Sequence, residues 1–107
     1  MAWTAQGNNL TMAEGDYGVS VPITIRGVTF DAQDSVKVTV KTAKNGTEIF
    51  HKDYSNVQDN TIQFSLTEAQ SELLPVGQYV YVIDWYRDLV FMYNVLPAAT
   101  LKVVDKG

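Results

Sequence analysis

His51 is the chain's one histidine, and Asp53 follows two residues later. In a strand that spacing puts both side chains on one face. A carboxylate beside an imidazole can orient it as a general base, provided a nucleophile or held water is there to be deprotonated. No Gly-x-Ser-x-Gly elbow supplies the nucleophile. We therefore read the pair as polar groups on a wet strand face. Glu14–Gly15–Asp16 and Asp31–Ala32–Gln33–Asp34 place carboxylates in loops, the hard oxygen ligands that calcium takes. Neither has EF-hand spacing, and aspartate is ordinary turn chemistry. A weak calcium site would require the two loops to meet at one end of the fold. With no cysteine, the chain can have no disulfide, thiolate metal site or cysteine nucleophile. Asn9–Leu10–Thr11 and Asn45–Gly46–Thr47 fit the glycosylation pattern, but Asn45 already has a turn to make. Gly-rich phosphate loops are absent too. The expectation is a protein that is not an enzyme and uses no cofactor.

The aromatic residues offer a different chemistry. Trp3, Trp85, Tyr86, Phe91 and Tyr93 are the candidates, four of them in one short region. Stacking on nucleic acid needs a basic funnel beside the rings. Here Arg87 stands alone between Asp84 and Asp88, and the whole chain carries a net charge of −4. Nucleic acid is excluded as a partner. A sugar platform needs no positive charge, so a carbohydrate-binding module is the alternative function, resting on the aromatics of residues 79–96.

The elements that would position these groups have a period of two. The 107 residues, 46% hydrophobic and 19% charged, suit a single domain over 1–107. Leu10 and Met12 mark a first strand, closed by Glu14–Gly15–Asp16. Val19, Val21, Ile23 and Ile25 mark a second, broken at Gly27, with Pro22 on its outward side and hence at a sheet edge. Val36, Val38 and Val40 alternate with Lys37, Thr39 and Lys41, the pattern of a half-buried antiparallel strand. Asn45–Gly46 predicts a hairpin turn with positive φ, returning through about Glu48 to Tyr54. Ile62, Phe64 and Leu66 make the next strand. Thr67 and Gln70 form a capping box for one short helix near 67–74, stopped by Pro75 and Gly77 and crossing between sheets. Tyr79, Tyr81, Ile83 and Trp85 then share a strand face, with Val80 and Val82 opposite. A turn is expected at Arg87–Asp88, a return over Val90 to Leu96, a break at Pro97 and a last strand at Leu101–Val104. Seven or eight short strands with frequent turns predict an all-β, antiparallel sandwich.

Val80, Val82 and Tyr86 give the 79–86 strand a second apolar face, which needs a cover. Either a partner subunit or the 67–74 helix can supply it. The candidate interaction surface is Val80, Val82, Trp85, Tyr86, Phe91 and Tyr93, and a homo-oligomer is expected. Met1–Ala2–Trp3–Thr4 has no basic n-region, so no signal peptide is expected. The mostly apolar stretch Tyr79 to Ile83 falls far short of the ~20 residues of a membrane helix. A membrane partner is not expected either.

Residues 30–85 carry a wider pattern. Val36-x-Val38-x-Val40 leads into Lys44-Asn45-Gly46-Thr47. Phe64-Ser65-Leu66 then precedes the capped segment Thr67–Leu74, followed by Gly77-Gln78-Tyr79-Val80-Tyr81-Val82-Ile83. The arrangement resembles the N-terminal domain of phage baseplate upper proteins and related immunoglobulin-like modules of phage and prophage tails. That resemblance implies an immunoglobulin-like β-sandwich with a structural role in the virion. It would be made in the cytoplasm of a bacterial host and dock onto other tail or baseplate proteins, often as a ring or trimer. No catalytic residue carries over. Where a glycine would lead into the last strand, this chain has Val95–Leu96–Pro97–Ala98–Ala99, which leaves the pairing of Leu101–Val104 open.

Overall fold

The computed structural model describes residues 4–6, 9–18, 20–25, 30–43, 46–55, 57 and 60–105. Trp3, Val19, the expected breaker Gly27, and Lys44 and Asn45 of the expected turn lie outside them. Among the described residues, eight strands and one helix follow in order: β1 (Thr4–Gln6), β2 (Asn9–Ala13), β3 (Val21–Thr24), β4 (Asp34–Lys41), β5 (Glu48–Ser55), β6 (Thr61–Phe64), α1 (Glu68–Ser71), β7 (Gly77–Arg87) and β8 (Val90–Val104). One sheet has the order β1-β2-β8-β7-β4-β5, and the other consists of β3 and β6. Thus β3 and β6 share one layer while β4, β7 and β8 share the other. This is how the B, E and C, F, G strands of an immunoglobulin-like sandwich are distributed. The helix crosses between the two layers, as its place between β6 and β7 requires.

The core lies between the sheets and follows from the alternation. Val36, Val38 and Val40 of β4 point inward and are fully buried, beside Tyr81 and Ile83 of β7 and Leu101 and Val103 of β8. Ile23, Ile62, Phe64 and Leu66 close the core from the second sheet. Phe64 stacks on Tyr81 with ring centroids 6.2 Å apart, one contact that spans both layers. Each such side chain contributes roughly 1.5–3 kcal/mol by leaving water. Burial also raises the Tyr81 hydroxyl to about 12. Pro22 is exposed opposite Gln63 in a two-stranded sheet, where its missing N–H leaves no ladder incomplete.

Four local details depart from the pattern. First, β2 pairs with β8 in parallel, Leu10 opposite Leu101 and Met12 opposite Val103, whereas the alternation implied an all-antiparallel sandwich. No hairpin joins these strands, so their direction is free to be set by matching two buried apolar rows. Second, β8 runs unbroken through Pro97. The register jumps there, from Ile83 opposite Leu96 to Tyr81 opposite Ala99, so the proline sits where the ladder is already interrupted. Third, the helix is a single turn, Glu68–Ser71, although the capping box at Thr67 and Gln70 forms as expected. Fourth, Gly46 does not adopt the positive φ of a primed turn. A Cβ there would stand 2.2 Å from Thr42 Oγ1 and 2.8 Å from the Ala43 nitrogen, so close approach is what requires the glycine.

Candidate interaction site at the β7–β8 hairpin

The expected turn at Arg87–Asp88 falls one residue later. Arg87 pairs with Val90, and Asp88 and Leu89 form a two-residue loop with φ of 52° and 66°. Aspartate tolerates the left-handed region, but leucine there pays a steric cost of ~1–2 kcal/mol. That strained leucine is also the most exposed large apolar residue described. Leu89 is 90% exposed, Val90 62%, Phe91 53% and Met92 41%. Turns are usually polar, so four consecutive exposed apolar side chains at a hairpin end form an uncommon patch.

The base of the hairpin is rigid, for electrostatic reasons. Asp34 opens β4 directly opposite Arg87, and its side chain is fully buried. Arg87 donates from Nε to Asp34 Oδ1 at 2.7 Å and from Nη2 to Oδ2 at 3.0 Å. Its Nη2 also reaches Asp31 Oδ2 at 3.3 Å, and the Asp31 N–H donates to Asp34 Oδ2 at 2.8 Å. The guanidinium bond holds the Asp34 carboxyl down to about 2 against the opposing effect of burial, helped by the Asp31 N–H and the Trp85 side chain. The same bond raises Arg87. The Asp88 N–H then donates to the Gln33 carbonyl at 3.1 Å, tying the turn to the β3–β4 connection.

One flank of the tip opens onto a groove of about 370 Å³ bordered on the outer face by Ser35, Lys37, Asp53, Ser55, Tyr86 and Leu89, and also by Tyr54, which lies opposite the inward Val36 and packs against the core. Tyr86 is held between Lys37, whose Nζ lies 5.5 Å from the ring centre, and Phe91, edge-on at 5.7 Å.

The six residues singled out from the sequence divide into groups. Tyr86 and Phe91 meet at the tip. Val80 is half-buried farther along β7. Val82 is buried within the chain, on the outer face between strands, beside the equally buried Thr39 opposite it. Trp85 faces the interior, edge-on to Phe30 at 6.2 Å with the Arg87 guanidinium over its ring, so it offers no open platform for a sugar. Tyr93 lies opposite Trp85, with its side chain outside those described. Leu89, Val90 and Met92 were missed. The signal was present: no charged residue occurs from Leu89 to Leu101, starting at a turn where charge is common.

The other candidates are occupied locally. His51 Nδ1 lies 2.9 Å from Glu48 Oε2 and its Nε2 3.9 Å from Asp53 Oδ2, on an exposed face. The Asp31 and Asp34 carboxylates are taken up by Arg87. Among the described residues, no three acidic or histidine side chains gather into a cation site, and no helix is long and apolar enough to cross a membrane. Comparison with known proteins finds no matching family model, curated protein or solved structure.

Proposed function

We propose that this domain is a non-enzymatic assembly module of a phage or prophage tail or baseplate, acting by protein–protein contact through the β7–β8 hairpin tip. The observation that carries the reading is the tip itself: Leu89, Val90, Phe91 and Met92 held out to solvent on a strained turn above an ion-paired base. Backbone strain that persists in a fold has to be supported by its surroundings, and it concentrates where side chains are presented for function. A glycine at 89 would relieve it and remove the apolar group. The placement in a phage tail rests on the sequence pattern of residues 30–85.

The test is co-expression with the products of neighbouring tail genes. Leu89→Asp and Phe91→Ser should each abolish co-purification while leaving the thermal transition of the isolated domain in place. Retention of the complex by both variants would overturn the reading.

A further inference from the structure

An open strand edge presents unused N–H and C=O groups, a template for pairing with another chain, and discrete folds blunt it. Among the described residues, most open edges of this fold are blunted visibly. β1 is three residues long, β6 four, and β3 four with Pro22 among them. β2 covers β8 only from Leu101 to Val104, and the rest of β8 carries Pro97 and three register shifts against β7. β5 is different. It ends the large sheet, its eight residues equal β4 in length, and it contains neither proline nor glycine. From Phe50 to Ser55 it runs in unbroken register against Val40 to Ser35. With Ile49, Phe50 and Tyr54 as strand formers, β5 is the edge best suited to accept another strand.

Lys52 stands against that. It pairs with Val38, a fully buried core residue, so its side chain points to the inner face of the sheet. Phe50 and Tyr54, opposite Val40 and Val36, flank it on that face and pack against the core. The lysine stem crosses to the second layer, where Nζ donates to the Ser65 carbonyl just beyond β6. Nζ also lies 6.0 Å from the centre of the Tyr54 ring. Burial lowers the Lys52 pKa, so the ammonium is already partly dehydrated.

An ammonium has three donors, and the Ser65 carbonyl takes one. Water reaches the others because Lys52 is half-buried on an edge strand. A strand added along β5 would lay its own inward side chains over this position and shut that water out. The charge would then lie between two sheets with one acceptor, which is a costly burial. On the opposite face His51, Asp53 and Ser55 are exposed and would stay wet after addition, so they oppose it far less. We infer that Lys52 is the gatekeeper of the β5 edge: its inward ammonium keeps that edge closed to strand addition by another copy of this chain.

The test uses the whole chain carrying Leu89→Asp, so that contacts of the hairpin tip do not contribute to association. Adding Lys52→Met keeps an unbranched stem and removes the charge. Sedimentation velocity should then show association beginning at a concentration lower by roughly tenfold or more. Lys52→Arg keeps an inward cation and should behave as the parent. Lys52→Leu repeats the apolar arm with a different side chain, and circular dichroism checks the fold of all three. In the associated species, hydrogen exchange should slow at those amides from Phe50 to Ser55 that β4 leaves unpaired. Apolar variants that associate no more readily than Lys52→Arg would overturn the inference, and so would association that leaves those amides unprotected. Lys52 takes no part in the hairpin tip, so the two roles fail independently. A silent Lys52→Met leaves the tip's role standing, and a tail complex that survives Leu89→Asp leaves the guarded edge standing.

Discussion

Two hairpins of the large sheet solve the same problem in opposite ways. Between β4 and β5 the chain reverses through polar chemistry: the Thr42 N–H donates to the Thr47 carbonyl at 3.0 Å, and the Thr47 N–H donates back to Thr42 Oγ1 at 3.1 Å. Gly46 fits because nothing larger would, and Thr42, Ala43 and Thr47 of the same connection are exposed. Between β7 and β8 the chain reverses through Asp88 and Leu89, both at positive φ, with apolar residues directly after. What is described of the first turn is closed by these hydrogen bonds. The second keeps an unfavourable residue in an unfavourable conformation and is braced from below by Asp34 and Arg87. Turn chemistry alone explains the first hairpin, and presentation of side chains is what the second gains for its strain.

The brace is where the contrast breaks most visibly. Arg87→Met leaves the buried Asp34 carboxylate without its main partner, so it should lower stability more than a substitution at either turn, read as a lower urea midpoint. Acid probes the same bond without mutation. Asp34 is depressed from its ordinary 3.8 to about 2, so its contribution is complete above the unfolded value and disappears as pH falls through about 2. The urea midpoint of the native chain should therefore drop between about pH 4 and pH 2, and that drop should shrink in Arg87→Met. The polar hairpin should yield next. Gly46→Ala drives a methyl against Thr42 Oγ1 and the Ala43 backbone, costing about 1–3 kcal/mol in the same measurement. The smallest effect has the opposite sign. Leu89→Gly should stabilise the domain by up to about 1 kcal/mol by releasing the left-handed leucine, while removing the tip's apolar side chain. A destabilised Leu89→Gly would mean that the leucine packs within its own chain, and the contrast between the hairpins would collapse.

Much of the architecture was legible because burial imposes period two. Val36, Val38 and Val40, the Thr67 capping box and the outward Pro22 were all readable from residue type and spacing. Direction and continuity were harder. The alternation of Leu10 and Met12 shows which side faces inward but not which strand lies alongside, so the parallel partner was hidden. Pro97 reads as a break in any local window, and only the register jump across from it makes a continuous strand possible. At the candidate site, Phe91 and Tyr86 were visible as surplus aromatics. Trp85 and Val82 were not distinguishable from them, because an apolar residue in a strand looks the same whether covered by its own chain or by another. Leu89 was hidden by the rule that turns prefer other residues, a rule this turn violates.

The parallel pairing of β2 with β8 has a consequence for how the domain comes into being. Asn9 and Thr100 are joined by a hydrogen bond across 91 residues of sequence. Contacts of such separation carry a large loop-closure cost and form late. The β4–β5 and β7–β8 hairpins, closed by short loops, can zip without waiting for distant chain. Strand β2 is therefore synthesised early and seated late, since the row it pairs with does not exist until β8 has been made. Until then Leu10 and Met12 have no apolar row to lie against, and the interval before docking is when this chain is most open to misassociation.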